Sequence, residues 1–174
     1  RVLPENADPK DFSRPVAFVQ HGMINSAENW VGSKEYSLAT KLIEEGYDVW
    51  LGNSRGNLYS RGHLVLDPER DSKYQQYSFY EMGTKDLPTM IDFVRDYTSQ
   101  DKIAFIGYSE STSAMFTALS EDSEQMNDKI NVFIAMAPLM TFRGIKDEFL
   151  LNLVDRYERI NRWSSIFGIN EYFG

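Results

Sequence analysis

Four short apolar runs, spaced so that a helix fits between each pair, constrain this chain more than any other feature. They are residues 16–20 (VAFVQ), 47–51 (YDVWL), 103–107 (IAFIG) and 131–136 (NVFIAM). Each has the length of a strand and is rich in side chains that pack on a pleated surface. Residues 34–45 (KEYSLATKLIEE) place Leu38, Leu42 and Ile43 on one side of a helix that ends at Gly46, a C-cap. Residues 78–97 carry Phe79, Met82, Leu87, Met90, Ile91, Phe93 and Val94 at helical spacing, with Pro88 expected to kink or restart the helix. A helix of small residues over 110–121 fills the last gap. Strand–helix alternation at this spacing predicts an α/β fold, a mainly parallel sheet flanked by helices. Residues 1–14 read as a polar, extended lead-in, and 52–77 as a polar loop.

Composition narrows the function. Of the 174 residues, 42% are hydrophobic and 25% charged, which is ordinary for a globular chain. No apolar run is long enough to predict a membrane span. Eighteen Lys and Arg against 26 Asp and Glu give a net charge of −8, which argues against a nucleic-acid partner. With no cysteine in these residues, a disulfide, a zinc–thiolate site and a thiol nucleophile are excluded within them. No G-x-G-x-x-G follows the first apolar run and there is no phosphate-loop Lys, so nucleotide binding is disfavoured. The first residue is Arg1 rather than Met, and a fragment or processed chain is expected.

The segment with most chemical content is residues 103–112, IAFIGYSEST. It sets Ser109 directly after a strand and directly before a helix. Such a turn thrusts its middle residue above the sheet edge and needs small residues two positions before and after, here Gly107 and Ser111. The helix N-terminus supplies N–H groups and a positive dipole end on which an oxyanion can rest. Two readings of Ser109 stay open: a nucleophile, or a plain N-cap. A second segment, PVAFVQHGM (15–23), ends a strand in His21-Gly22; a backbone N–H from such a loop completes an oxyanion hole, and the glycine allows close backbone approach. A third, YDVWLGNSRG (47–56), offers a loop to position its neighbours, with Arg55 expected to bind a carboxylate structurally.

Together these segments resemble the acid lipase family of α/β-hydrolases, the group of gastric and lysosomal acid lipases. The matching stretches are RPVAFVQHGM (14–23), SAENW (26–30), GYDVWLGNSRGN (46–57), SFYEMGTKDLPTMIDFV (78–94), IGYSEST (106–112) and IAMAPL (134–139). The resemblance implies that residues 1–144 are the N-terminal part of a hydrolase core and that 145–174 begin a lid. It implies Ser109 as nucleophile, with the backbone N–H groups of Met23 and Glu110 as oxyanion donors. It further implies hydrolysis of neutral lipid esters, triacylglycerols or sterol esters, with no metal or organic cofactor, in a lysosomal or secreted protein. The chain departs from the family at Tyr108, where His is usual, at Glu110, where Gln is usual, and at Ser111, where Gly is expected. Tyr108 is expected to alter only packing. A Glu110 carboxylate is expected to repel a forming oxyanion, and Ser111 to push the helix from the strand. The aromatic residues Trp163, Phe167, Tyr172 and Phe173 either face lipid or pack on the rest of the molecule.

In this fold the triad runs in the order Ser, acid, His. Acids follow Ser109 (Asp122, Asp128, Asp147 and Asp155), but both histidines, His21 and His63, precede it. A serine without a base is a poor nucleophile. The expectation is an ester hydrolase whose acid and histidine lie beyond Gly174, or in a second chain that completes the fold and covers its open sheet edge. The alternative is an inactive hydrolase-fold subunit with a structural or lipid-binding role.

Overall fold

The computed structural model describes residues 1–141; the expected lid start at 145–174 lies outside them. The four expected strands form one sheet: β1 (Val16–Gln20), β2 (Asp48–Gly52), β3 (Ile103–Tyr108) and β4 (Ile130–Met136). Their order is β2-β1-β3-β4, and every pair is parallel. The helices are α1 (Leu38–Glu44), α2 (Phe79–Glu81), α3 (Leu87–Thr98), α4 (Glu110–Glu121) and α5 (Ser123–Lys129).

Alternate side chains along the strands go to opposite faces. Phe18, Trp50, Ile103 and Phe105 pack with Leu87, Ile91 and Val94 of α3, Met115 and Ala118 of α4 and Met126 of α5. Val19, Val49 and Ile106 pack with Ala39, Leu38, Leu42 and Ile43 of α1 and with Trp30. The chain after β1 therefore leaves over one face and the chain after β3 over the other. That divergence of adjacent parallel strands opens a crevice at their C-terminal ends, the usual ligand position in open α/β sheets.

Local sequence explains the element ends. The expected helix 34–45 divides: a 3-10 turn covers Lys34–Tyr36, and α1 starts after Ser37, whose side chain accepts the Thr40 N–H. Gly46 closes α1 at φ +87°, with Gly46 N–H on the Ile43 carbonyl and Tyr47 N–H on that of Leu42, a Schellman motif that aims the chain into β2. Between α2 and α3, residues Met82–Asp86 form a π-helical turn, the Leu87 N–H reaching the Met82 carbonyl. Pro88 lacks the N–H that would continue the α-ladder, so the α-helix restarts beside it, as its position in the sequence suggested. In the same turn Gly83 lies so close to α4 that a Cβ there would stand 2.3 Å from the Ala114 carbonyl oxygen.

Residues 1–14 are more than a lead-in. Val2 bridges antiparallel to Val49, and the Arg1 guanidinium grips the fully buried Asp48 carboxylate at 2.8 and 2.7 Å while lying over the Phe12 ring. α5 has no counterpart in the apolar pattern of the sequence. Its polar sequence, SEQMNDK, buries only Met126, and Asp122 caps it by accepting the Gln125 N–H. Among the described residues no helix is long and apolar enough to cross a membrane.

Candidate active site

Ser109 follows β3 and precedes α4, at φ 55° and ψ −116°. A non-glycine residue at positive φ is uncommon, and this ψ lies outside the left-handed helical well, so the turn is strained. The strain is held on both sides. The Ser109 N–H donates to the Met136 carbonyl at the end of β4 (2.9 Å), and the Ser109 carbonyl accepts the Thr112 N–H (2.9 Å). The N-cap reading of Ser109 does not hold: its side chain makes no capping bond, and the half-buried hydroxyl has no hydrogen-bond partner among the described residues.

Gly107 and Ser111 occupy the crowded positions on either side. A Cβ on Gly107 would stand 3.0 Å from the Phe105 ring and 3.1 Å from the Ser111 hydroxyl. Ser111, expected to push α4 off the strand, is buried, and its hydroxyl ties the two together. That hydroxyl accepts the Tyr108 N–H at 2.7 Å and reaches the carbonyls of Gln20 (3.1 Å) and Tyr108 (3.0 Å). Tyr108 sits edge-on to Trp30, with ring centroids 6.2 Å apart.

The loop after β1 meets this turn. A Cβ on Gly22 would lie 3.0 Å from the Ser109 Cβ and 3.1 Å from the Tyr108 carbonyl oxygen, so only glycine fits without displacement. The Met23 backbone N–H, one residue on, has no acceptor among the described residues. The Glu110 N–H, at the first position of α4, has none within the helix. The two N–H groups named from the resemblance thus sit on segments that converge at Ser109.

His21 is buried and fully engaged. Its Nε2 accepts the Ser54 N–H and an Asn57 amide N–H, both at 3.0 Å, so Nδ1 carries the proton and donates to the Gly22 carbonyl at 2.7 Å. Burial lowers its pKa and favours this neutral ring. It clasps the loop and has no nitrogen left to take a serine proton. His63 is exposed, and its Nδ1 accepts the N–H groups of Val65 and Leu66. Neither imidazole makes a hydrogen bond to Ser109.

The polar stretch after β2 holds the clasp. Asn53 Oδ1 accepts the Ala27 N–H at 3.0 Å and an Asn57 amide N–H at 2.8 Å, and Gln20 Nε2 donates to Ser54 Oγ at 2.8 Å. Ser54, Asn53 and Asn57 were not singled out from sequence; their signal was the polar run GNSRGN directly after a strand. Arg55 binds a carboxylate, as expected: Nε donates to Asp86 Oδ2 at 2.6 Å, a second nitrogen pairs with Oδ1, and the pair raises the guanidinium pKa.

A cavity of about 500 Å³ opens beside the elbow, bordered by Gly22, His21, Arg55, Asn57, Tyr77 and Glu110. Burial, with smaller contributions led by Tyr74 and Glu110, pushes the Tyr77 phenol up to about 12. Burial alone raises the Glu110 carboxyl. Among the described residues no three His, Asp or Glu side chains gather in a way that holds a metal ion.

Residues 15–162 match the family described as alpha/beta hydrolase fold. The chain is 43% identical over 137 residues to gastric triacylglycerol lipase of Bos taurus, covering 78% of this chain and 34% of that protein. It is 43% identical over 144 residues to lipase member K of Homo sapiens, covering 82% and 35%. With lipase lipl-1 of Caenorhabditis elegans it shares 40% over 161 residues, 91% and 39% of the two chains. The chain thus spans little more than a third of the length of these relatives. Two solved structures share the fold: an extracellular α/β-hydrolase from a Paenibacillus species (TM-score 0.55, 18% identity, 84% of this chain and 53% of that one) and a carboxylesterase from Nitrososphaera gargenis (TM-score 0.54, 14% identity, 85% and 46%).

Proposed function

We propose, from the premise that this chain belongs to the α/β-hydrolase family and is acid-lipase-like within it, that it carries the nucleophilic half of a serine ester hydrolase acting on neutral lipid esters. The observation that carries the reading is the strained elbow, which presents an unbonded Ser109 hydroxyl against Gly22. In the proposed reaction Ser109 Oγ attacks the ester carbonyl and its proton passes to a histidine. The carbonyl oxygen becomes an oxyanion held by the Met23 and Glu110 N–H groups. The alcohol leaves with the proton, and water then releases the acid from the acyl-enzyme. Since His21 is engaged and His63 makes no hydrogen bond to Ser109, the base and its acid partner come from outside these 174 residues. The strands that carry them would cover β4, whose Val132 and Ile134 are each 47% exposed.

The gastric triacylglycerol lipase likeness supports triacylglycerol or another neutral lipid ester as substrate and a secreted or lysosomal setting; residues 145–174 are proposed as the start of a lid on the sequence resemblance alone. A second reading, an inactive subunit that keeps the fold for binding, draws on Glu110, an acid directly after Ser109 in the chain.

Fluorophosphonate treatment of the native full-length protein separates the two. The expected result is one adduct on Ser109, and Ser109→Ala lowering kcat on the order of 10⁶-fold. A folded, full-length protein that stays unlabelled would sink the hydrolase reading in favour of the subunit.

A further inference from the structure

We propose that Thr112 is a positioning residue for the oxyanion hole: its buried hydroxyl holds the Ser109 carbonyl and so aims the Glu110 N–H. The inference rests on the serine-hydrolase reading above and adds a residue on which that reaction depends. The Ser109 C=O and the Glu110 N–H belong to one peptide unit. That unit is planar and, like every peptide bond among the described residues, trans, so its two polar groups point in opposite directions. Whatever fixes the carbonyl therefore fixes the N–H. The Ser109 carbonyl accepts both donors of Thr112, the backbone N–H at 2.9 Å and the side-chain hydroxyl at 2.5 Å. Thr112 is fully buried, so bulk water does not compete for these bonds. Donation to the carbonyl also polarises the N–H of the same peptide toward an acceptor.

A hydroxyl has one hydrogen to give, and a second contact decides where it goes. Thr112 Oγ1 accepts the Leu139 N–H at 3.0 Å, from the segment that follows β4. With that side of the oxygen occupied, the hydrogen is left to point at the Ser109 carbonyl. The Ser109 N–H meanwhile donates to the Met136 carbonyl at 2.9 Å. Both backbone groups of Ser109 are thus fastened to residues 136–139, one directly and one through Thr112. Each end of this bridge carries a non-glycine residue at positive φ, Ser109 at 55° and Ala137 at 48°. Such conformations persist only where the surrounding contacts over-determine them. The neighbouring Ser113 hydroxyl donates to the Leu139 carbonyl and not to Ser109, which makes it a matched control.

The test is kcat and KM for p-nitrophenyl butyrate with the full-length wild type, Thr112→Val, Thr112→Ser, Ser113→Ala and Ser109→Ala. Valine keeps the shape of threonine and removes the hydroxyl. An oxyanion donor that is mis-aimed should lower kcat about 10–100-fold. KM should stay unchanged, because the weakened interaction is made only in the transition state. Thr112→Ser keeps the hydroxyl and should restore the rate. Ser113→Ala cuts a bond to the same segment and should keep the wild-type kcat even where its Tm falls. If Thr112→Val does not fold, Thr112→Ala makes the same test without a methyl group against the carbonyl. A folded Val or Ala variant with wild-type kcat, a loss carried by KM alone, or an equal loss of kcat in Thr112→Ser or Ser113→Ala overturns the proposal. A wild type without hydrolysis, or a Ser109→Ala enzyme as active as wild type, overturns the hydrolase reading itself, an outcome distinct from a failure confined to Thr112.

Discussion

The turn after β1 is fastened by side chains, whereas the turn after β3 is held largely by its own backbone. In the first, one buried imidazole takes two hydrogen bonds from the 52–57 segment and gives one to its neighbour's carbonyl. In the second, Ser109 is pinned at a strained φ by the Met136 carbonyl and by the start of α4, with the Ser111 and Thr112 hydroxyls as side-chain ties. The two turns meet where Gly22 lies against Ser109 and Tyr108, and the Ser111 hydroxyl joins them through the Gln20 carbonyl. The difference shows how one chemistry-bearing residue type can be used for structure: His21 is spent on a loop, and the Ser109 hydroxyl is left without a partner among the described residues.

Removing the clasp should have the largest effect. His21→Ala in the full-length protein deletes three hydrogen bonds, worth roughly 1 kcal/mol each, and leaves the Ser54 N–H without its acceptor. A loss of about 3–4 kcal/mol in urea unfolding is expected. A loss below about 1 kcal/mol would mean that the clasp does not hold the loop. Closing the contact between the turns comes next. Gly22→Ala puts a methyl group 3.0 Å from the Ser109 Cβ, so one turn must shift by a few tenths of an ångström. Overpacking of this kind costs about 1–3 kcal/mol, and the displaced serine should react with a fluorophosphonate about tenfold more slowly. Labelling at the wild-type rate would show that Ser109 tolerates the shift.

The smaller tie is Ser111. Ser111→Ala strips the Tyr108 N–H of its acceptor at 2.7 Å and should cost about 1–2 kcal/mol by thermal or urea unfolding. Ser111→Gly should cost more, because it removes the same hydroxyl and adds backbone freedom within a helix, about 1 kcal/mol further. If Ser111→Gly proved stabilising instead, the hydroxyl would be tolerated rather than used.

What the sequence made legible follows the range of each interaction. The strands were legible because VAFVQ and IAFIG are apolar runs buried on both faces, a pattern each run carries in itself. Ser109 and Gly22 were legible because the spacing of glycine, serine and the flanking strand records a local crowding. The role of His21 was not. Its donors lie 33 and 36 residues away, and nothing near His21 distinguishes a clasp from a base. Gly83 was missed for the same reason: it is glycine because the Ala114 carbonyl of another helix presses on it. α5 was missed because a polar seven-residue helix with one buried side chain has no periodicity to read.

The smallest effect distinguishes the turns by the sign of their pH response. His21 is held below its ordinary value of 6.5, first by burial. Below pH 6.5 the unfolded chain takes a proton that the folded chain resists, so stability is lost as pH falls through that range and on to the lowered folded value. Glu110 is held above its ordinary value of 4.5, also by burial. There the folded chain keeps a proton that the unfolded chain has released, so stability is lost as pH rises from 4.5 through the raised folded value. Both turns therefore favour neutral side chains, and each is weakened from the opposite side. Glu110→Gln removes the second loss without touching the first. Its Tm should match wild type most closely near pH 4 and exceed it by a growing margin toward pH 7, while the acid-side decline governed by His21 remains. A Tm difference that stays constant across that range would mean that the carboxyl does not resist ionisation, and the contrast between the turns would then rest on hydrogen bonds alone.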